Sequence, residues 1–288
     1  MREHSLRPIG TAVLAACASK LYICVFFFCV ASLTSLRAQT LPLSHGERVD
    51  YDLYFKWGLI MSKAGLATLS VKESEYQGAP SWHYNLLFRS AGVIEKVFRM
   101  RDTMDCHYSK EPRLLFSSKR TNEGDYYLVD NLQFEYQESG RIDIHSHRHT
   151  LKETKIDTML MAKGRVFDML GATMYLRSLD WRTMSYGAEF PFMIAIGREL
   201  VNARFRYTGQ QIVEHKEAKF RTRHFYIDIY DEAFTQAKEA AEVWIGDDEN
   251  HIPVKIRAKL KIGAAEVYYK DSYNLRAPLT CRIVVQKK

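Results

Sequence analysis

The chain has 288 residues, of which 47% are hydrophobic and 26% are charged. This composition is typical of a folded globular protein and excludes intrinsic disorder. The formal net charge of +7 comes from lysine and arginine residues that are scattered singly along the chain. A nucleic-acid partner, which would require a clustered basic stripe, is therefore not expected.

The first 38 residues have the pattern of a secretory signal peptide. Arg2 and Arg7 precede an apolar run over residues 21–31, and small and polar residues then lead to Ala38. A positive segment, an apolar segment and a small residue at the cleavage site define such peptides. We therefore expect a protein exported to the periplasm or cell envelope, with a cleaved signal at 1–38 and a single domain over 39–288.

Lipidation at Cys17 is an alternative, because residues 14–17 resemble a lipoprotein cleavage box. A second and stronger apolar run follows at residues 21–33, where a lipoprotein would have a polar tether, so cleavage near Ala38 is favoured. Beyond residue 38, no stretch approaches the roughly 20 apolar residues of a membrane-spanning helix. Removing the export segment lowers the net charge to +4, from 37 basic and 33 acidic residues.

Most of the chain after residue 38 follows a two-residue hydrophobic period, which predicts β-strands. Val49, Tyr51 and Leu53, for example, share one face of the first strand, while Asp130 is an exception on the apolar face of its strand. Turns at short intervals indicate an antiparallel meander that forms a curved sheet, a half-open barrel or a sandwich. The predicted strands cover residues 48–57, 66–73, 82–88, 102–108, 114–121, 125–136, 141–149, 189–196, 200–207, 211–216, 222–230, 241–246, 252–262 and 265–270.

The strand pattern is interrupted once, over residues 166–177. Apolar residues recur at helical spacing from Phe167 to Met174, and Asp168 is suited to cap the helix N-terminus with its carboxylate. We expect one central amphipathic helix packed against the sheet. Whether it begins at Asp168 or before Gly164 is left open.

Three histidines form the cluster that most resembles a metal site. His145, His147 and His149 alternate on one face of a predicted strand, where imidazoles can bind zinc or copper. Ile144 lies on the opposite face, so the histidines are expected to face water, and the nearby Arg148 disfavours a cation. A solvated strand end is the favoured interpretation, and a metal site is the alternative.

Cys106 and Cys281 are the only cysteines after residue 38. An oxidising envelope would allow a disulfide between them. Two free buried thiols are the alternative, because cysteine is a common core residue. No Cys-x-x-Cys spacing indicates a redox or zinc motif.

Two groups of carboxylates suggest chemistry only weakly. The acidic residues 247–249 lack the alternate spacing of a calcium loop and indicate a solvated turn. Asp105 and His107 share a strand face that Asp102 does not, which disfavours acid–base catalysis. No nucleophile elbow, zinc-protease helix or phosphate loop occurs. We therefore predict no cofactor and favour a protein that is not an enzyme.

The four tryptophans and sixteen tyrosines after residue 38 lie largely in phase on the predicted strands. Core filling is the favoured interpretation, since aromatic side chains bury much area. The alternative is a lipophilic cavity, because about a dozen strands with one helix leave room for a hollow sheet.

Three motifs in order along the chain carry a family resemblance. They are an opening motif, Gly46, Glu47, Tyr51, Trp57, Ala64 and Gly65; a helix motif, Asp168, Tyr175 and Arg177, followed by Gly187; and a closing motif, residues 243–248, 252–254 and Gly263. Together they resemble the domain-of-unknown-function 3108 family of exported bacterial envelope proteins. Gly171 stands where that family usually has a small polar residue.

The resemblance implies an exported, β-rich protein of Gram-negative bacteria, including Bacteroidetes, whose activity is not established. No catalytic residues can therefore be carried over. The helix motif is interpreted first as structural: Asp168 caps, Tyr175 packs, and Arg177 binds carbonyls or a carboxylate near the helix end. Binding of an acidic head group by Arg177 is the alternative.

We expect, from export and the aromatic strand faces, a non-catalytic protein that binds an apolar or amphiphilic, lipid-like ligand or a membrane-associated protein. One alternative is an envelope hydrolase or glycan-acting enzyme. Another is a structural or interaction module of the outer membrane with an exposed apolar patch. The oligomeric state is left open.

Overall fold

The computed structural model describes residues 41–97, 99–230, 237–260 and 263–284. The expected export segment, with Cys17, lies outside these residues. The described chain forms 16 strands and two short helices, which confirms the mainly β class. The strands are β1 Arg48–Trp57, β2 Ile60–Tyr76, β3 Ala79–Ser90, β4 Thr103–Ser109, β5 Leu114–Glu123, β6 Tyr126–Tyr136, β7 Arg141–His149, β8 Thr154–Lys163, β9 Val166–Phe167, β10 Glu189–Ile196, β11 Glu199–His215, β12 Ala218–Tyr230, β13 Ala237–Gly246, β14 Pro253–Lys259, β15 Ala264–Tyr273 and β16 Arg282–Ile283; the helices are α1 Gly92–Val97 and α2 Met169–Arg177.

All 16 strands belong to one sheet. Its order runs from β8 back to β1, continues from β1 to β15, and then descends from β15 to β9, while β16 pairs with β12. Strands β1 and β15 pair over residues 48–56 and 264–273, so the beginning and the end of the described chain are neighbours. The pairings are antiparallel except for β9 with β10, which is parallel.

The two edges of this sheet approach each other, so that it forms a nearly closed barrel. Ser146 Oγ on β7 donates to the carbonyl oxygen of Gly197 in the β10–β11 turn at 2.5 Å. Arg198 Nη2 in the same turn donates to the Lys155 carbonyl oxygen on β8 at 3.4 Å. The sequence left open a curved sheet, a half-open barrel or a sandwich, because alternation fixes which side chains face inward but not how far the sheet curls.

Each predicted strand forms, but β2 begins at Ile60 instead of residue 66, the short strands β9 and β16 were not predicted, and two further strands differ. Strand β11 is continuous where two strands were expected, and a register shift between Tyr207 and Gln210 accommodates the break in alternation. Strand β8, Thr154–Lys163, was not predicted, since the exposed Met159 and Met161 interrupt its apolar alternation.

The expectation of a single helix is wrong in number, because the short α1 also forms. Helix α2 begins at Met169 with Asp168 as its N-cap, as predicted. It does not extend before Gly164, because Val166 and Phe167 pair with β10 as strand β9. Within the described ranges, neither helix has the length and apolar character needed to cross a bilayer.

Helix α2 lies inside the barrel, with most of its side chains buried. It contacts the inner face of both halves of the sheet. Tyr84 on β3 and Tyr108 on β4 hydrogen-bond to it, and the ring of Tyr175 meets Phe192 of β10 edge-on and Phe205 of β11 at a tilt. The alternating strand directions place the turns β1–β2, β7–β8, β10–β11 and β14–β15 at one end, the upper end. The turns β6–β7, β11–β12 and β13–β14 lie at the lower end. Helix α2 therefore acts as a plug between the ends.

Candidate functional site

The N-terminus of α2 is anchored to strand β4 by Asp168. The carboxylate of Asp168 accepts hydrogen bonds from the Gly171 backbone N–H at 2.6 Å and from the Cys106 thiol at 3.2 Å. Burial raises the pKa of Asp168, although the bonds from Gly171 and Cys106 oppose that shift. Asp168 also lines the cavity described below.

Gly171 is required by this close packing. A Cβ atom at position 171 would lie 2.6 Å from Tyr108 Oη and 2.7 Å from Asp168 Oδ1. Tyr108 also donates from that hydroxyl to the Gly171 carbonyl oxygen at 2.8 Å. A larger residue would therefore push the helix away from β4, which explains glycine at this point of the helix motif.

Arg177 closes the lower end of the barrel from inside. Its side chain is fully buried and pairs with Glu47, with Nη1 to Oε1 at 2.7 Å and Nη2 to Oε2 at 3.1 Å. Nη2 also donates to the carbonyl oxygens of Pro42 and Asn250. Arg177 thus contacts a carboxylate and carbonyls of the chain itself. An acidic head group of a ligand would have to displace Glu47 to reach this buried guanidinium.

Three charged residues on adjacent strands face the barrel interior. Lys119 on β5 lies opposite Asp130 on β6, and Asp130 lies opposite Arg148 on β7. Arg148 Nε donates to Asp130 Oδ1. In the described part of the chain, no carboxylate lies within 4 Å of the Lys119 ammonium group. Lys119 is therefore an inward cation without an ion pair within 4 Å. Burial raises the pKa of Glu123 on the same strand, and the charge of Lys119 acts at longer range to lower it.

These residues line a cavity of about 90 Å³ beside the N-terminus of α2. Lys119, Asp130 and Arg148 are half-buried, so the cavity reaches solvent. The β10–β11 turn at Gly197 borders it, which places it near the upper end. The wall combines the polar Ser117, Lys119, Asp130, Arg148 and Asp168 with the apolar Met104, Leu132, Met169, Ala195 and Ile196.

The rest of the barrel interior is filled by side chains. This agrees with the favoured interpretation that the aromatic residues fill the core. Tyr84, Tyr108, Phe205 and Phe225 are among its fully buried members. A volume of 90 Å³ is close to that of three water molecules at about 30 Å³ each and is below the roughly 300 Å³ of typical small-molecule pockets. The cavity suits one polar group of a ligand, not a whole lipid.

A larger depression of about 590 Å³ lies near the lower end, around the β6–β7 turn. It is less suited to a ligand because its arginines already have partners in the chain. These are Arg113 over the ring of Tyr136, Arg141 paired with Asp143, and Arg165 over the ring of Tyr175.

The three clustered histidines do not form a metal site in the structure. His145 Nε2 lies 2.6 Å from Asp157 Oδ1, and the ring of His147 stacks on that of His149 with centroids 4.8 Å apart. Within the described ranges, no three histidine, cysteine, aspartate or glutamate side chains are placed to bind one metal ion. The histidines lie on the outer face of β7.

Cys106 and Cys281 are free and buried, so the disulfide alternative does not describe the structure. The Cys106 thiol contacts Asp168, and burial together with that carboxylate raises its pKa well above the usual value. Cys281 lies against Gly246, where a Cβ atom would be 2.8 Å from its sulfur, and burial raises its pKa as well. The two thiols pack at separate places in the core.

The carboxylates considered for catalysis do not converge in a cleft. Asp105 lies on the outer face of β4, where it accepts from His83 at 2.6 Å and Asn85 at 2.7 Å and pairs with Arg120. Asp102 instead accepts from the Asn122 backbone N–H at 2.9 Å. This arrangement removes the support that the hydrolase alternative would have needed.

The acidic residues after β13 are held by the chain and form no calcium loop. Asp247 pairs with Arg223 at 2.8 Å, and Asp248 accepts from the backbone N–H groups of Asn250 and Cys281. The structure thus brings none of the sequence-derived candidates into the cavity. Two residues that the sequence analysis mentioned for other reasons do line the cavity. They are Asp130, an exception to its strand pattern, and the helix cap Asp168.

Comparison with known proteins agrees with this fold. Residues 50–270 match the family described as protein of unknown function (DUF3108), and the chain belongs to that family. No curated protein matches it. Among solved structures, it is similar to a beta-barrel-like protein of domain of unknown function DUF1849 from Brucella abortus, with 9% identity and a TM-score of 0.51. The similarity covers 81% of this chain and 99% of that one, and shows the fold alone.

Proposed function

We propose that this protein is a non-catalytic binding protein of the cell envelope, and that its interior cavity receives the acidic group of an amphiphilic ligand. The envelope location follows from the export segment expected at residues 1–38. A non-catalytic role is favoured because Asp105 and His107 lie on the outer face of the barrel, and Asp102 is not among the residues that line the cavity.

The observation that carries the proposal is Lys119. A lysine side chain that is half-buried loses part of its hydration and normally gains a carboxylate in return. Here the cross-strand carboxylate of Asp130 is paired with Arg148 instead, and Glu123 on the same strand feels the Lys119 charge without forming an ion pair within 4 Å. An anionic group from a ligand would complete the pairing of Lys119, and Arg148 is a second cation in the same wall.

The apolar part of the ligand would extend towards the upper end. Met104, Leu132, Met169 and Ile196 form an apolar wall beside the charged residues, and Met169 and Ile196 are themselves exposed. Methionine side chains adapt to irregular apolar partners. Since the cavity holds only a small group, we expect an acidic head inside and a chain lying across this wall.

Calorimetric titration with four probes tests the proposal: decanoate, decyl phosphate, decanol and acetate. We expect decanoate or decyl phosphate to bind, and decanol and acetate to bind at least about tenfold more weakly, because a charge-assisted hydrogen bond contributes about 1.5–3 kcal/mol. Lys119→Met should weaken binding of the acidic amphiphile by a similar factor. Lys119→Arg should retain most of it.

Lys155→Met, which changes an exposed lysine on β8, is the matched control and should bind like the unmodified protein. Circular dichroism establishes that each variant is folded. Equal binding of decanol and decanoate, or an unchanged affinity in Lys119→Met, would refute the role of the cavity. Native mass spectra of gently purified protein that are consistently free of ligand would also count against it.

A further inference from the structure

An exposed apolar cluster lies at the upper end of the barrel, separate from the cavity residues. It consists of the β1–β2 turn together with Leu260 directly after β14, which the β1–β15 and β14–β15 pairings bring close. Leu59 is fully exposed, and Trp57 and Ile60 are 61% and 62% exposed. We call this cluster the docking tip; its members are Trp57, Leu59, Ile60, Met61 and Leu260.

Such a cluster is unusual on a protein surface. Single exposed apolar residues are common, but a contiguous group marks an interaction site. Residues 57–61 contain no charge, and Gly58, at φ +55°, allows the tight turn that projects the side chains outward. The tip is therefore a short uncharged hairpin with no core to bury it.

Lysines follow immediately behind the tip. Lys56 lies opposite Met61 on the β1–β2 hairpin, Lys63 follows two residues after Met61, and Lys259 precedes Leu260. All three side chains are substantially exposed. Two of their acidic partners lie underneath: Lys63 pairs with Asp52, and Lys56 approaches Glu266, and both carboxylates are buried. Lys259 lies 3.8 Å from the partly exposed Glu239, so Lys56 and Lys63 supply the positive charge that faces solvent.

We propose that the docking tip inserts into the headgroup region of a lipid bilayer that contains anionic lipids. Tryptophan and aliphatic side chains partition into that region, and lysines behind them reach the lipid phosphates. A protein partner fits less well, because protein interfaces are depleted in lysine. The tip lies at the end near which the cavity opens, but docking does not require an occupied cavity.

Vesicle flotation of the full protein tests this inference. The probes are phosphatidylcholine vesicles, pure or mixed with phosphatidylglycerol at about three to one. We expect binding to the mixed vesicles that weakens at high salt, and a blue shift of tryptophan fluorescence that is lost in Trp57→Ser. Leu59→Asp with Ile60→Asp should reduce partitioning at least about tenfold, since burial of each apolar side chain is worth roughly this factor. Lys56→Glu with Lys63→Glu should reduce binding to the mixed vesicles.

Val284→Asp is the matched control, because it places an acid at an exposed apolar residue far along the chain, next to β16. It should bind vesicles like the unmodified protein. Equal partitioning of the Leu59/Ile60 variant and this control would overturn the inference. The absence of vesicle binding by the unmodified protein would also overturn it, even if the docking tip were then found to bind a protein. Lys119→Met should float normally, so failure of the cavity proposal is distinguishable from failure of docking.

Discussion

Replacing Glu47 with alanine should strongly destabilise the fold. The Arg177–Glu47 pair is fully buried, with two N–H to oxygen contacts of 2.7 and 3.1 Å. Removing one partner of a buried pair leaves an uncompensated charge and costs about 3–5 kcal/mol. Arg177 keeps two carbonyl acceptors, from Pro42 and Asn250, so we expect a loss near 3 kcal/mol in the free energy of unfolding.

Urea denaturation followed by far-ultraviolet circular dichroism measures this loss. A single domain of this size has a denaturant dependence at or above about 3 kcal/mol per molar urea, so the midpoint should fall by about 1 M. Glu249→Ala, which removes an exposed carboxylate, is the control and should stay within about 0.5 kcal/mol.

The combined variant Glu47→Leu with Arg177→Met separates charge from packing. Apolar replacement of both partners is often close to neutral. The combined variant should therefore lose less stability than the sum of the losses in Glu47→Leu alone and Arg177→Met alone, by at least about 2 kcal/mol. The interpretation of a buried, mutually dependent pair is refuted by either of two results. One is a free energy of unfolding for Glu47→Ala within about 1 kcal/mol of the unmodified protein. The other is a combined variant whose loss equals the sum of the losses in its two single variants.

Two further predictions concern the thiols and one carboxylate. Cys106 and Cys281 should react with a disulfide reagent at pH 8 only on unfolding, because burial raises the pKa of both thiols, and reduction should leave the native mass unchanged; rapid labelling of the folded protein would contradict this. For Asp105, burial acts to raise the pKa, but hydrogen bonds from His83 and Asn85 and the charge of Arg120 lower it. Its contribution to stability is therefore present above the unfolded pKa of about 3.9 and lost as pH falls through the folded value. Asp105→Asn should be less stable at pH 7, with the difference shrinking below about pH 4; a difference independent of pH would refute the assignment.

Local patterns in the sequence were sufficient for most strands and for the start of α2. The bounds of β1, β7 and β10 agree with the alternation, and Asp168 caps the helix because its carboxylate accepts the Gly171 N–H. Strand β8 was not predicted because Met159 and Met161 place apolar residues on its solvent-facing side, which obscures the alternation. Helix α1 is too short, at six residues, to show a period.

The cavity could be anticipated only in part. Asp130 broke the apolar face of its strand, which is the signal of a polar group pointing inward. Lys119 and Arg148 lie opposite it only through cross-strand register, which two separate turns determine. Arg177 likewise finds Glu47 and Asn250 through contacts between distant segments. Such pairings depend on how the whole sheet curls, and no local pattern encodes them.

The pairing of β1 with β15 has a consequence for biogenesis. Arg48 and Tyr273 are partners although roughly 225 residues separate them, and joining them costs about 5 kcal/mol of loop-closure entropy. Strand β1 must therefore wait for β15, the last but one of the described strands, before its second edge is covered. Folding should be post-translational and slow, on the scale of milliseconds to seconds, and the waiting edge is a natural substrate for a chaperone.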